Sequence, residues 1–410
     1  MDGLYQKRKK EGDAEVDGKP RILMYSHDSY GLGHLRRTLG LAKAFVEHDP
    51  GLGVLILTGS TVSGAFRMPQ GIDIVKLPSA VKVSNGVYKP GRLPITFEHL
   101  RKLRSGLILN TAESFNPDAF IVDKAPLGMK REVSRTLEYL HTERPSTLTV
   151  LGLRDVLDDP DRVRRHWRDN HITEAINRYY DLILVYGPRE VYDPLPEYGL
   201  PTTTLRRSYY VGYVGRGPTF GDTSDMPFRP GYVLVTAGGG ADGFHLIRNY
   251  LESLREPVPS FESIVVTGPL MDERSKRTLE RLSQGLRARV LEFRADMECL
   301  IQKAKAVVAM GGYNTTIELL AARKPTLIVP RVEPRAEQLI RTRRLASLGL
   351  VEMIHPRDLT PPLMRSRVED LLRREPPTAP NVEVDLSGAA RAVKLVFTGM
   401  AKKRALVVGA

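Results

Sequence analysis

Short, nearly continuous apolar runs, many rich in β-branched residues, recur along this chain, each followed by a longer stretch of helical periodicity. In the first half they are 21–25, 54–57, 72–77, 119–123, 147–151 and 182–185. In the second half they are 232–236, 263–267, 290–293, 306–310 and 326–329. A strand that stays apolar on both sides of its two-residue period is covered on both faces, as parallel strands are. The alternation therefore predicts βαβ units and a doubly wound α/β sheet. The series restarts near Tyr232. Before it, the segment from Gly212 to Gly231 is dense in Gly and Pro and reads as a linker. The expected organisation is a disordered tail over 1–19, one Rossmann-like domain over 20–215 and a second over 216–385. A C-terminal helix and tail over 386–410 is expected to pack back on the first domain. A chain of 410 residues, 41% of them hydrophobic, can bury two such cores.

Each half opens as strand, glycine turn and helix. The first turn carries Gly31 and Gly33, followed by His34. The second carries Gly238, Gly239 and Gly240. A glycine turn lets backbone approach a ligand closely, and the helix behind it offers free N–H groups and a partial positive charge. Diphosphate suits that geometry. The second turn spells G-x-G-x-x-G, but a dinucleotide site also wants an acidic residue at the end of the next strand. That strand ends Thr267-Gly268-Pro269, which disfavours NAD. A tight turn needed only for packing is the other reading of both.

Between Val290 and Gln338 the pattern is strand, Gly311-Gly312 turn, and a helix opening on Asn314, Thr315 and Thr316. These are capping residue types with free N–H groups behind them. Glu318 follows in the next turn, where a carboxylate can accept both hydroxyls of a ribose; an i,i+4 pair on a solvated face is the competing role. The loops fall at carboxyl ends of parallel strands, where such sheets bind ligands.

Over most of its length, and in order, this sequence resembles the GT-B glycosyltransferases. It looks most like the branch containing MurG, and more loosely like the diacylglycerol and UDP-glucuronosyl transferases. The resemblance is strongest over 290–349, moderate at 26–36 and 236–243, and weak over 82–214. It implies two domains facing a central cleft, with the donor held by the second. It places backbone of Phe293 and Arg294 at the nucleobase edge, in a matching segment from Glu292 to Met297. It sets Gly311, Gly312, Asn314 and Thr315 against the donor diphosphate, Glu318 on the ribose, and Glu337 and Gln338 on the donor sugar. Glu337 departs from the family's glutamine. Met310 stands where relatives carry a basic residue, so phosphate neutralisation must come from elsewhere. His34 falls on the family's suspected general base, with Asp28 and Asp123 as further acid–base candidates. The implied reaction moves a sugar from a nucleoside diphosphate sugar, a uridine diphosphate sugar foremost, to a hydroxyl acceptor. It would be a single inverting displacement with no metal and no cofactor beyond the donor. The acceptor is a glycan, a lipid-linked compound or a small molecule.

Two other functions stay open on the same fold. A UDP-sugar 2-epimerase would carry an acidic turn and paired glutamates where this chain has Met310-Gly-Gly-Tyr313 and Glu318 alone. A non-catalytic nucleotide-binding protein would need only one half of the cleft. A metal site at Asp159-Pro-Asp161 is also conceivable, but that segment reads better as the cap of the helix from Arg162.

Charge and cysteine usage bound the partners. The net charge is +13, concentrated at 131–135, 162–168 and 335–344. No aromatic residues interleave with these runs as they would on a nucleic-acid platform, so nucleic acid is not expected. Solvated helix faces account for most of the charge; a phosphate-rich substrate or a membrane surface would account for the rest. The basic segment 81–108, with Lys82, Lys89, Arg92, Arg101, Lys102 and Arg104, is either a lip meeting such a surface or an exposed loop. The lone cysteine, Cys299, allows no internal disulfide. With no apolar stretch long enough to span a bilayer and no signal-peptide core before Pro20, a cytoplasmic location is expected, at most peripheral at the inner membrane face.

Overall fold

The computed structural model describes residues 18–27, 33–61, 68–84, 86–215, 229–294, 296–374 and 383–408. Asp28 and Gly31, most of the N-terminal tail, and the heart of the Gly/Pro-rich segment fall outside these.

The first half is built on a seven-stranded parallel sheet. Its strands are β1 (Arg21–Ser26), β2 (Gly53–Thr58), β3 (Ile72–Lys76), β6 (Ala119–Asp123), β7 (Leu148–Arg154), β8 (Leu182–Tyr186) and β9 (Ser208–Tyr210), in spatial order β3-β2-β1-β6-β7-β8-β9. A separate antiparallel hairpin pairs β4 (Ala80–Ser84) with β5 (Val87–Pro90). The second half carries β10 (Val233–Thr236), β11 (Ser263–Val266), β12 (Ala288–Leu291), β13 (Ala306–Ala309), β14 (Thr326–Ile328) and β15 (Glu352–Met353), in order β12-β11-β10-β13-β14-β15. Every neighbouring pair in both large sheets is parallel.

The helices named below are α1 (Gly33–His48), α2 (Phe97–Phe115), α3 (Ser134–Glu143), α4 (Pro160–Asp169), α5 (Ile172–Tyr179), α6 (Phe244–Ser253), α7 (Glu273–Ser283), α8 (Met297–Lys303), α9 (Tyr313–Ala322), α10 (Glu337–Ser347), α11 (Pro361–Arg373) and α12 (Gly388–Val408). Strand residues of the first sheet divide between two buried clusters, one on each face, as doubly wound strands require. The second sheet does the same. Helix α12 crosses back to the first half, where Ala392, Val393, Val396 and Met400 join Ile22, Leu41 and Phe45 in one core. Among the described residues no helix is long and apolar enough to cross a membrane.

In each sheet the strand order reverses about one central strand. For the first sheet the reversal lies between β1 and β6, for the second between β10 and β13. Ligands bind in the crevice that such a switch point opens at the carboxyl ends of strands. The turns after β1, β6, β10 and β13 therefore sit where a site is expected.

The basic segment 81–108 is neither a lip nor a loop throughout. It forms the β4–β5 hairpin and most of the 19-residue helix α2, whose Thr96 side chain caps the start. Arg104, counted with the surface charge from the sequence, is fully buried. Its Nε donates to Glu132 Oε2 at 2.7 Å and its Nη2 to Glu132 Oε1 at 2.6 Å, while Nη1 donates to the Pro78 carbonyl. The Tyr25 hydroxyl donates to the same carboxylate at 2.6 Å and accepts from the Met129 N–H. Burial and the Glu132 charge push the Tyr25 phenol pKa well up, so it stays a donor. This network ties α2, β1 and the loop after β6 together with its polar groups satisfied.

Because a buried charge left alone costs far more than an exposed one, Arg104→Met should destabilise the protein by about 3–5 kcal/mol. Arg104→Met combined with Glu132→Leu should recover much of that loss. Urea unfolding of the three proteins checks this, and a single-variant loss below about 1 kcal/mol would mean the network is not closed to water.

Candidate active site

The switch point of the first sheet brings together two residues 89 positions apart. His34 sits in the first turn of α1, and Asp123 ends β6. His34 Nδ1 lies 2.6 Å from Asp123 Oδ2. Arg37, one turn after His34, donates to both oxygens of the same carboxylate, at 2.7 and 2.8 Å from Nη2. Burial works against the Asp123 charge, but Arg37 and then His34 outweigh it and hold the carboxyl below its usual range. An ionised Asp123 accepts a proton-bearing Nδ1, which leaves Nε2 as the bare nitrogen. Burial pushes the His34 imidazolium pKa down to about 3, despite the opposing pull of Asp123. The imidazole is therefore neutral, oriented, and an acceptor at Nε2. His27 stands edge-on to it, with ring centroids 5.7 Å apart. Asp123 is thus the orienting partner of His34 and lies buried beneath it.

The second sheet forms the facing wall. A cavity of about 290 Å³ is lined by Gly33, Gly238, Gly239, Gly240, Phe293, Arg294, Met297, Gly312, Asn314, Thr315, Glu318 and Gln338. Most of the residues read from the sequence as donor contacts converge there. Phe293, placed just beyond the end of β12, is about half exposed and lines the cavity. Gly312 is the N-cap of α9, so the first N–H groups of that helix point into the space. Asn314 reaches across the cleft, its Nδ2 donating to the Gly33 carbonyl at 3.1 Å. That bond joins the first glycine turn to the helix behind the Gly311-Gly312 turn.

The glycines divide by cause. Gly240, with φ +95°, packs so tightly that a Cβ would lie 2.4 Å from the Thr267 carbonyl oxygen. Gly311, with φ +75°, would place a Cβ 2.8 Å from Ile328 Cγ2 and 2.9 Å from Thr342 Oγ1. Both are demanded by packing, and Gly311 does not line the cavity. Gly312 has open space around it and is free to meet a ligand.

Glu337 also departs from its expected place. It is buried, with Oε1 accepting from Arg331 Nη2 at 2.6 Å, and it does not line the cavity. Arg331 in turn reaches Asp242 at 2.9 Å. A glutamate at this position finds a cation inside the protein. Gln338 lines the cavity while its Oε1 accepts from the Arg331 backbone N–H at 2.9 Å. Arg294 forks onto Asp296 at 2.8 and 2.6 Å. Asp159 is the N-cap of α4, accepting from the N–H groups of Asp161 and Arg162.

Sequence reasoning missed the arginines and the tyrosine at the seam. Tyr313, the first residue of α9, is buried in the first half's core. Its hydroxyl donates to the Tyr186 carbonyl at 2.9 Å and accepts from the Val214 N–H at 3.4 Å. Arg341 on α10 forks onto Asp155 just past β7, at 2.6 and 2.7 Å, with both side chains almost wholly buried. Arg154 and Arg331 line the cavity. Each follows an apolar run, at a strand end or just past one, and that position was the available signal.

A second cavity, of about 600 Å³, opens on the first half. It begins at His27 and runs between the loop after β6 and helix α4, with Trp167 and Leu127 in its wall. Lys124, Lys130, Arg131, Arg162, Arg165 and Arg335 line it, and none of these six makes an ion pair among the described residues. Asp158, which also lines it, is occupied by the Asp159 and Ala336 N–H groups. Three of the loop's backbone positions, Lys124, Lys130 and Arg131, hold positive φ. That conformation is uncommon outside glycine and often marks functional sites.

Known proteins share this fold and parts of this sequence. Residues 232–396 match the glycosyltransferase family 28 C-terminal domain. An uncharacterized glycosyltransferase of Methanosarcina mazei is 22% identical over 322 residues, spanning 73% of this chain and 77% of the relative. The UDP-N-acetylglucosamine--N-acetylmuramyl-(pentapeptide) pyrophosphoryl-undecaprenol N-acetylglucosamine transferase of Anaeromyxobacter sp. is 31% identical over 143 residues, 33% of this chain and 36% of that protein. Among solved structures, the glycotransferase of kitacinnamycin superposes with a TM-score of 0.62 at 15% identity, covering 94% of this chain and 96% of that one. MurG of Acinetobacter baumannii superposes with a TM-score of 0.59 at 15% identity, covering 93% and 99%. The family match and the relatives named as glycosyltransferases favour transfer over epimerisation. The chain is a glycosyltransferase of the GT-B fold similar to MurG, with residues 232–396 matching the glycosyltransferase family 28 C-terminal domain, and it moves a sugar from a nucleotide-sugar donor.

Proposed function

We propose that the donor is a uridine diphosphate sugar, that the acceptor is a hydroxyl compound carrying an acidic group, and that transfer is a single inverting displacement. The observation that carries this reading is the facing pair of walls. Gly33, next to His34 of the His34–Asp123 dyad, lines the cavity from one side and the N-terminus of α9 from the other, and the Asn314–Gly33 bond joins them. Donor contacts follow from the cavity. Phe293 offers a face for the base, Glu318 a carboxylate for the ribose, and Gly238, Gly239, Gly312 and Thr315 a bed for the diphosphate. Gln338 lies at the sugar end. The acceptor hydroxyl loses its proton to His34 Nε2 as it attacks the anomeric carbon, and the helix terminus steadies the departing diphosphate. No cofactor and no metal ion is part of this scheme; Asp159 is committed to capping α4.

The six cations of the first-half cavity support the acidic acceptor. Burial, with Arg154 and Arg335 nearby, pushes the Lys124 pKa well down; an entering anion would raise it again. The exposed Val83 and Val87 beside Lys82 and Lys89 on the β4–β5 hairpin support peripheral contact with an anionic membrane surface on the cytoplasmic side.

Glu318→Ala should weaken UDP binding by roughly 1.5–3 kcal/mol, the worth of a hydrogen bond to a charged group. Calorimetry on a folded variant checks this; unchanged affinity would remove Glu318 from the ribose. His34→Ala should lower kcat by about 10²–10⁴-fold with UDP affinity retained. Because the base works as neutral imidazole and its pKa is pushed down, wild-type kcat should show no loss centred near pH 6.5, the ordinary histidine value. A pH–rate profile that halves there would mean His34 titrates as a solvated histidine. Acceptors matched except for a phosphate or carboxylate should differ by about tenfold or more in kcat/KM, the charged one faster. Equal rates would dismiss the acidic acceptor while leaving the donor reading intact.

A further inference from the structure

Three guanidinium groups surround the Tyr313 ring. Their Cζ atoms lie 5.1 Å (Arg37), 5.4 Å (Arg341) and 5.8 Å (Arg154) from its centroid. Two of the three are neutralised, Arg37 by Asp123 and Arg341 by Asp155. The third is not. The Arg154 side chain has no hydrogen bond or ion pair among the described residues, and its Nε is buried without a partner. Burial, and then the Arg37 charge, pushes its pKa down to about 10, so the group is still a cation at neutral pH. Glu337 and Asp155 act on it only at longer range than a hydrogen bond, and a buried guanidinium with no direct acceptor is costly unless an anion joins it.

Its position says which anion. Arg154 ends β7 in the first half, yet it lines the cavity of the second half together with Gly238, Gly239, Gly312 and Thr315. The second half itself offers an apolar residue, Met310, just before its glycine turn. The second half's own cations in this cavity, Arg294 and Arg331, are already paired with Asp296 and with Asp242 and Glu337, whereas Arg154, across the cleft, is not.

We infer that Arg154 binds the diphosphate of the donor and carries the leaving-group charge from the opposite domain. The inference rests on the nucleotide-sugar reading above. As the bond from the acceptor oxygen to the anomeric carbon forms, the bond from that carbon to the β-phosphate oxygen breaks. The electron pair stays on the phosphate, and the acceptor proton goes to His34 Nε2. The planar fork of an arginine can meet two phosphate oxygens at once. A diphosphate therefore bridges the two halves, whereas a nucleoside alone contacts only the second.

The test uses the full chain. Uridine, UDP and inorganic pyrophosphate are titrated calorimetrically into wild type, Arg154→Gln and Arg154→Lys. The Gln variant should bind uridine as wild type does and lose about 10–100-fold in affinity for UDP and pyrophosphate. The Lys variant should recover part of the loss. The ligand-free Tm of the Gln variant should hold or rise, because repulsion with Arg37 and Arg341 is relieved. A merely structural guanidinium would instead lower Tm and cost uridine as much as UDP, which would overturn the assignment. So would equal UDP and pyrophosphate affinities in wild type and Arg154→Gln. If wild type binds pyrophosphate but not UDP, the uridine donor is wrong, and the pyrophosphate arm alone decides the role of Arg154. If wild type binds neither, both readings fall.

Discussion

The insertion of Tyr313 into the first half, flanked by the Arg341–Asp155 pair, is the contact on which the cleft depends. Tyr313 is the first residue of the helix whose N-terminus faces the donor cavity, so whatever fixes Tyr313 fixes that helix end. Its ring lies in a core with Tyr186, Tyr213 and Val214, and its hydroxyl satisfies one carbonyl and one N–H of the first half. Arg341 and Asp155 meet as a fork in a place almost closed to solvent. A buried pair of this kind adds little net stability over an apolar pair, but it tolerates no misalignment, since either charge alone would be stranded. The contact therefore specifies one relative placement of the two sheets.

That placement puts two topological switch points face to face. Each sheet reverses its strand order about a central strand and opens a crevice at its carboxyl edge. One crevice holds an ionised carboxylate and an imidazole kept neutral by burial. The other holds helix N–H groups and glycines. Acids near the seam are mostly spoken for: Asp123 by Arg37 and His34, Asp155 by Arg341, Glu337 by Arg331. What remains unneutralised there is positive, which is how part of a net charge of +13 becomes local chemistry.

Much of the second half was legible because its chemistry is local in sequence. Gly312, Asn314, Thr315 and Glu318 lie on one turn and one helix start, so spacing alone gathers them at the cavity. Parallel strands were legible for the same reason, being continuous apolar runs. The first half was harder. Arg104 reads as surface charge until its partner, 28 residues on, is in place. Gly152 looks like the end of β7, although the strand continues to Arg154; a Cβ at Gly152 would collide with the Tyr186 ring. Asp123 reads as one more strand-end acid, and only the parallel pairing of β1 with β6 sets it under His34. The short edge strands β9 and β15, of three and two residues, lack the length to leave a pattern.

The same contrast explains where specificity resides. The part of the second-half cavity between Phe293 and Gln338 comes from one continuous stretch whose contacts sit at fixed offsets, while Gly33, Arg154, Gly238, Gly239 and Gly240 join it from elsewhere. The first-half cavity is assembled otherwise, from the loop after β6, from α4 and from Arg335 ahead of α10. No spacing rule links those three segments, so each can vary its charge or bulk at positions outside the bonds that join them, from the Ala336 N–H to Asp158 and from Arg162 to the Pro334 carbonyl. Loops on a rigid scaffold are where such variation is cheapest in stability. The left-handed Lys124, Lys130 and Arg131 show the cost that this loop does carry. Its backbone is held there by the Arg104–Glu132–Tyr25 network beneath, whose bond to the Met129 N–H anchors the loop directly. The buried ion pair of the first half is thus a support for the wall of the first-half cavity, as the Arg341–Asp155 pair is for the N-terminus of α9.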